Sequence, residues 1–270
     1  MLPTQIGFIG AGQMATALGS GFVRAGLVPQ ANLFAADPDA AARSRFAAAT
    51  GGSVTPNNIE AVEQAEVLFL AVKPQQLASV SGGLKGKVPS DTLVISLAAG
   101  VRLAQLAQMF GGDVRLVRVM PNTPCLVGQG ACAFALGEKA TAADAELTGR
   151  LLRAVGTAWQ VEEKLLDAVT GLSGSGPAFV YVVIEALGDA GVRMGLPRTL
   201  AAALAAQTVR GAAEMVLATG EHPAVLRDRV ASAGGTTIAG LQALENGGLR
   251  AALFAAVEAA AKRSIELGEG

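Results

Sequence analysis

Between the apolar run Ile6-Gly7-Phe8-Ile9 and a stretch of helical periodicity stands Gly10-Ala11-Gly12-Gln13-Met14-Ala15, the segment that most restricts what this chain can become. A strand, then G-x-G-x-x-A, then a helix is the arrangement that binds a dinucleotide. Gly10 permits the tight turn, Gly12 lets backbone approach a ligand, and Ala15 lets the helix lie close on the strand. Residues 13–25 put Met14, Ala17, Leu18, Gly21 and Phe22 on one face, and Gly26 supplies the stop. The N–H groups at such a helix start, with the positive end of the helix dipole, form a site for pyrophosphate. Glycines also serve plain turns, but here strand, helix and position all agree.

The same alternation continues through the first half of the chain. Residues 32–36, 67–72, 92–97, 114–120, 131–135 and 158–161 are strand candidates, and the stretches between them are helix-like. That pattern predicts a parallel sheet covered on both faces, an α/β domain over residues 1–162. Beyond residue 162 strand patterning stops, alanine becomes abundant, and Pro177, Pro197 and Pro223 each stand where a first helical turn would begin, with Ser175 and Gly176 as a cap before Pro177. Residues 163–270 are therefore expected to be all-α. After Pro177, Tyr181, Glu185 and Asp189 form one narrow polar stripe on an otherwise apolar helix. A domain of this size cannot hide several such helices alone, which predicts packing against a second copy of the chain.

Composition excludes several classes. The chain has 270 residues, 51% hydrophobic and 16% charged, with a net charge of -1, and no basic stripe offers itself to nucleic acid. Cys125 and Cys132 are too far apart for a C-x-x-C site, and His222 is the single histidine, so no usual zinc ligand set can be assembled. No metal, free thiols and a reducing cytoplasm are the expectation. The N-terminal Met1-Leu2-Pro3-Thr4-Gln5 has no basic region, and the apolar runs read as too short or too interrupted to span a membrane.

Asp37 ends the second strand, where a carboxylate would accept hydrogen bonds from the adenosine ribose, favouring NADH. Arg43 and Arg45 stand close enough to serve a 2'-phosphate, so NADPH is not excluded. The competing role for Asp37 is a solvated cap for the helix after Pro38.

Four further segments follow: Ala71-Val72-Lys73-Pro74-Gln75, Arg118-Val119-Met120-Pro121-Asn122-Thr123-Pro124, Leu172-Ser173-Gly174-Ser175-Gly176-Pro177-Ala178 and Ser232-Ala233-Gly234-Gly235-Thr236-Thr237-Ile238-Ala239-Gly240-Leu241. In this order, with the N-terminal turn, they resemble the pyrroline-5-carboxylate reductases along nearly the whole chain. The segment from Ser232 through Leu241, with Gln242-Ala243-Leu244-Glu245 after it, is the most specific part. The resemblance implies a Rossmann domain joined to a helical dimerisation domain, dimers that assemble into larger rings, and hydride transfer from NAD(P)H to the C=N carbon of 1-pyrroline-5-carboxylate, giving L-proline. It implies that Gly10, Ala11, Gly12, Gln13, Met14, Asn58, Ala71, Val72, Lys73 and Pro74 line the cofactor, with Leu97, Ala98 and Ala99 beside the nicotinamide. It further implies that the loop of Ser232, Gly234, Gly235, Thr236 and Thr237 holds the substrate carboxylate, with Thr237 close to the ring nitrogen. Ala233 departs from the proline many members carry, without removing a hydrogen-bonding group.

Elementary chemistry agrees. Backbone N–H groups and hydroxyls of residues 232–237 can form an anion site before a helix starting near Ile238, although Thr236 or Thr237 could instead merely cap that helix. A protonated imine already accepts hydride readily, so orientation is the protein's main contribution, and a Thr237 hydroxyl could hold the ring-nitrogen proton. Lys73 sits at a strand exit, as a cofactor contact or a solvated side chain. Pro121 and Pro124 fix a loop in which Asn122 has no assigned role, His222 reads as a surface cap, and Cys125 and Cys132 as packing residues. A β-hydroxyacid dehydrogenase would need a lysine after its central glycine motif, and none occurs between Lys164 and Lys262. A reductase of other cyclic imines and a non-catalytic NAD(P)H-binding redox sensor remain as alternatives.

Overall fold

All four residues of the first strand, β1 (Ile6–Ile9), are buried, as a sheet covered on both faces requires. The computed structural model describes residues 2, 4–111 and 113–269; Met1 and Pro3, on which the reading of the N-terminus partly rests, lie outside the described residues. The described residues continue with α1 (Gln13–Arg24), β2 (Leu33–Ala36), α2 (Ala40–Thr50), β3 (Ser53–Thr55), α3 (Asn58–Gln64), β4 (Val67–Leu70), α4 (Pro74–Leu84), β5 (Leu93–Ser96), α5 (Leu103–Phe110) and β6 (Arg115–Met120). Then come β7 (Gly130–Leu136), α6 (Ala142–Arg153), β8 (Gly156–Gln160) and α7 (Leu166–Val169).

The sheet order is β3-β2-β1-β4-β5-β6-β7-β8, and the first six strands are parallel. This is the doubly wound order, with the direction of winding reversing between β1 and β4, so a ligand crevice opens outside their carboxyl ends. One expectation is corrected: β7 runs antiparallel to β6, and the sheet is mixed. Residues 121–129 are too few for a crossover, which needs a dozen or more residues, whereas α6 is long enough to return β8 parallel to β7. The short β3, mostly exposed at the sheet edge, carries too little pattern to announce itself in sequence.

Two apolar layers sandwich the sheet. On one face Phe8 stacks on Phe69 at 5.0 Å between ring centroids and packs with Phe22 of α1 and Phe46 of α2. On the other, Val62, Leu77, Leu84, Leu106 and Phe110 bring α3, α4 and α5 down on the strands. Helix α6 is anchored by Asp144, whose carboxylate accepts from the backbone N–H and hydroxyl of Thr141, both at 2.8 Å, and pairs with Arg115 at 2.6 Å. Asp144→Ala removes a capping box and the ion pair to the half-exposed Arg115, whose guanidinium keeps, among the described residues, only the Asp91 carbonyl. The expected loss is about 3 kcal/mol, seen as a lower denaturant midpoint at constant m; an unchanged midpoint would show that Asp144 carries no such weight.

By contacts the chain divides into a unit of Met1–Ser175 with Glu258–Gly270, and a unit of Gly176–Val257. The boundary falls later than the end of strand patterning because α7 belongs with the sheet: Leu166 is fully buried there. The second unit contains α8 (Gly176–Arg193), α9 (Arg198–Thr219), α10 (Pro223–Arg229), α11 (Thr236–Asn246) and the first part of α12 (Leu249–Glu269). Pro197 and Pro223 flank helix starts as expected, but α8 is not opened by a Ser175 cap. A π-helical turn, Thr170–Gly174, leads almost directly into it.

Gly188 and Gly191 let α8 approach Ala201 and Ala202 of α9. Within the chain, however, Gly188 alone is buried in α8, and Phe254 is 78% and Leu217 75% exposed. The stripe of Tyr181, Glu185 and Asp189 is exposed too, with Asp189 paired to Arg198. Glu163–Arg193 and Arg198–Thr219 are long and apolar enough to cross a bilayer by length and composition alone, contrary to the reading that every apolar run is too interrupted. Glycine and alanine interrupt large side chains without making a helix polar.

Candidate functional site

At the carboxyl end of β1, Gly10 adopts φ +95°, and a β-carbon there would stand 2.9 Å from the Ala71 carbonyl oxygen. Only glycine fits this turn while β1 and β4 stay adjacent. Gly12 is different. Its φ is -72°, and an added β-carbon would meet no protein atom within 4 Å. The space above it is open, as a cradle for a dinucleotide requires, so the chain's own residues fit that cofactor. Gly12 caps α1 without a side-chain hydrogen bond, so the first-turn N–H groups, including those of Gln13 and Met14, have no side-chain acceptor. Ala11 and Ala15 are buried.

Asp37, at the exit of β2, is neither a bare surface group nor the cap of α2. Its carboxylate accepts from the Ala11 N–H at 2.8 Å and from the Asp39 N–H at 2.9 Å, while Asp39 caps α2 through the Ala41 N–H. Asp37 thus braces the glycine turn. Arg43 is held at the same exit, donating to the carbonyls of Asp37 at 2.7 Å and Pro38 at 3.0 Å, whereas Arg45 pairs with Asp39 at the surface. A carboxylate and a guanidinium therefore stand together at the β2 exit.

At the start of α3, Asn57 performs the capping and is tied to Glu60, leaving the adjacent Asn58 half-buried. Ala71 and Val72 follow β4, the exposed Lys73 precedes α4, and Pro74 is that helix's first residue. Leu97, Ala98 and Ala99 follow β5, with the Ala98 N–H donating to the buried Ser96 hydroxyl at 3.3 Å. The structure thus gathers residues 10–14, 37, 58, 71–74 and 97–99 along one rim of the sheet, at strand exits beside the crevice.

Asn122 now has a role. Only 7% exposed, it donates to the Ser173 carbonyl at 3.0 Å and accepts from the Ala131 N–H at 2.9 Å, joining the β6 exit, β7 and the π-helical turn. Such turns are frequent at functional sites, and the run Thr170-Gly171-Leu172-Ser173-Gly174 gives no periodicity that would reveal one.

Cys125 and Cys132 are not isolated packing residues: their sulfurs lie 3.6 Å apart. The Cys132 thiol pulls Cys125 down to about 7, while the same pairing and burial push Cys132 up. Reactivity needs access as well as thiolate, and both side chains are at most 1% exposed. Accordingly, a chromogenic aromatic disulfide is expected to leave both thiols of the native protein untouched and to titrate them after unfolding; rapid native reaction would contradict that burial.

In the second unit, α11 starts at Thr236, two residues before Ile238, with Gly235 as its N-cap and no side chain capping it. Thr236 and Thr237 are therefore not spent as caps. Gly234 takes φ +67°, and a β-carbon on Gly235 would collide with the Ser232 hydroxyl oxygen, so the turn closes tightly, its Gly235 N–H donating to the Ser232 carbonyl at 3.0 Å. The result is a helix N-terminus flanked by three hydroxyl side chains. His222 caps α10 through Nδ1 at 3.2 Å from the Ala224 nitrogen, as a surface residue.

Comparison with known proteins gives matches along both halves. Residues 163–267 match a family model described as pyrroline-5-carboxylate reductase dimerisation, and residues 5–100 match one described as NADP oxidoreductase coenzyme F420-dependent. The chain is 48% identical to a pyrroline-5-carboxylate reductase of Glycine max over 97% of its length and 95% of that protein. It is also 48% identical to one of Methanosarcina acetivorans, covering 98% of each. A crystal structure of Plasmodium falciparum pyrroline carboxylate reductase with NADP bound superposes with a TM-score of 0.90 at 35% identity, covering 98% of both chains.

Proposed function

This chain belongs to the pyrroline-5-carboxylate reductase family, and from that premise and the site geometry we propose that it reduces 1-pyrroline-5-carboxylate to L-proline with NAD(P)H. The observation that carries the reading is the near full-length identity to relatives of that name. When bound, NAD(P)H supplies the hydride. The chain's residues do the rest: the amides opening α1 beside Gly12 would hold the pyrophosphate, and Leu97, Ala98 and Ala99 would bound the nicotinamide. The N–H groups and hydroxyls at the start of α11 hold the carboxylate, and the Thr237 hydroxyl bonds the ring nitrogen and keeps its proton in place.

The lean toward NADH rests on Asp37. Arg43, anchored at the same strand exit, supports NADPH. Comparing kcat/KM for the two cofactors with pyrroline-5-carboxylate, beside other cyclic imines, tests cofactor and substrate together. Comparable turnover of other imines would favour a broader imine reductase, and cofactor binding without any turnover would favour a redox sensor.

The helical unit forms an oligomer, and a homodimer through α8, α9, α11 and α12 is the arrangement that would cover their exposed apolar faces. Those faces are better explained by a second copy than by a membrane, because Glu185, Asp189 and Arg193 share α8 with them. Assembly of dimers into a ring is the larger form proposed. Two unpaired cysteines fit a reducing cytoplasm.

A further inference from the structure

The end of α12 is packed with the sheet unit, although the helix begins in the other. Its landing point is the 97–102 loop, the segment proposed to bound the nicotinamide. Gly100 in that loop has φ +79°, and a β-carbon on it would stand 3.0 Å from the Leu267 β-carbon and 3.2 Å from the Ser264 carbonyl oxygen. Reciprocally, a β-carbon on Gly268 would collide with the Gly100 carbonyl oxygen. Two glycines thus allow helix backbone to lie directly on loop backbone.

Gln105 ties this contact to the loop's exit with one side-chain amide. Its oxygen accepts from the Arg102 N–H at 2.8 Å and its nitrogen donates to the Gly268 carbonyl at 2.9 Å. A second route runs through a half-buried Glu163 to the enclosed Arg118. The Leu103 N–H donates to Glu163 at 2.6 Å; Glu163 pairs with Arg118 at 3.3 Å, and Arg118 with Asp167 at 3.2 Å. The Ser264 hydroxyl closes the chain by donating to Asp167 at 2.7 Å. Arg118 and Ser264 are each only 3% exposed. Buried ion pairs contribute little net stability because desolvation offsets their attraction, and fixing a register is their best-attested use. Here the two elements held in register are the loop exit and α12.

We propose that Ser264 and Gly268 are positioning residues for the reaction: through the 97–102 loop, the last turns of α12 set where the nicotinamide end of the cofactor lies. This rests on the cofactor reading above. It places orientation under the control of a helix that also belongs to the oligomerising unit, while affinity remains with the turn at Gly12. Misplacement of reacting atoms by about 1 Å can cost roughly 100-fold in rate with little change in binding.

The test uses the full chain with Gly268→Ala, Ser264→Ala and Ser264→Thr. Three quantities are read: the dissociation constant of NADPH, the fluorescence emission of bound NADPH, which reports the nicotinamide's surroundings without any substrate, and kcat with pyrroline-5-carboxylate. Gly268→Ala and Ser264→Ala are expected to keep the dissociation constant within about twofold, to shift the emission, and to lower kcat roughly 10- to 100-fold. Ser264→Thr, which retains the hydroxyl, should recover most of the loss. Wild-type emission and kcat in both alanine variants would overturn the proposal, as would a matched loss of affinity and rate tracking a fall in Tm. A wild-type protein that binds NADPH yet never turns over the substrate would defeat the functional reading instead, and the emission comparison would still decide the positioning role.

Discussion

Gly12→Val is expected to weaken NAD(P)H binding by roughly 100-fold, or about 2.7 kcal/mol, while the protein stays folded. The two effects separate because of geometry. No protein atom lies within 4 Å of where the new β-carbon would sit, and φ at -72° suits any residue, so the native chain has nothing to clash with. The cost to folding is confined to a poorer N-cap, about 0.5–1 kcal/mol. The added isopropyl group instead fills the space the pyrophosphate would take and screens the first-turn amides of α1. Gly10→Val offers the contrast. With φ +95° and the Ala71 carbonyl oxygen 2.9 Å from its β-carbon, it should damage the turn itself and lower Tm as well as affinity. Titration of both variants with NADPH, alongside thermal unfolding, checks the pair; undiminished affinity in Gly12→Val would remove the turn from the cofactor site.

Thr237→Ala is expected to lower kcat/KM for pyrroline-5-carboxylate by roughly 100-fold, the scale of a lost proton-holding group. Cofactor affinity and Tm should remain at their wild-type values. Thr237 can be removed cleanly because α11 is capped by backbone at Gly235 and not by this hydroxyl. Thr237→Ser keeps the oxygen and should recover most of the activity. Steady-state kinetics with both variants separates a group that acts on the ring nitrogen from one that shapes the loop, and unchanged kinetics in Thr237→Ala would remove it from the reaction.

The beginning of the fold is legible because its signals are local. Gly10, Gly12 and Ala15 each have one backbone task within a single strand–turn–helix unit, and Gly26, at φ +61°, stops α1 where expected. Non-local facts were not legible. The run at residues 131–135 looks the same in either direction, and only the shortness of the preceding connection forces β7 antiparallel. Arg118 reads as a charge in a strand; its partners Glu163 and Asp167 lie 45 and 49 residues away. Asn122 likewise braces Ala131 and Ser173, which no spacing rule connects to it.

The helical half shows another limit. Its apolar cylinders are plain in sequence and correctly predict that one chain cannot bury them, yet the π-helical turn before α8 leaves no pattern. Asp37 stands at the exit of β2, as its place in the sequence predicts, but its alternative duty as the cap of α2 passes to Asp39, and the Asp37 carboxylate turns back to the Ala11 N–H. Ser264 carried no signal, since its partner Asp167 lies 97 residues away, and for Gln105 only the bond to the Arg102 N–H is local, while its tie to Gly268 spans 163 residues.

The account's central claim is that this chain delivers hydride from a nicotinamide to the imine carbon of a small carboxylated ring. The most direct measurement is a single reaction with pyrroline-5-carboxylate and NAD(P)H deuterated at the transferring position, with the product analysed by NMR and mass spectrometry. The account predicts proline carrying one deuterium on the ring carbon that was part of the C=N bond; cofactor bound but not oxidised, or proline formed without that deuterium, would contradict it.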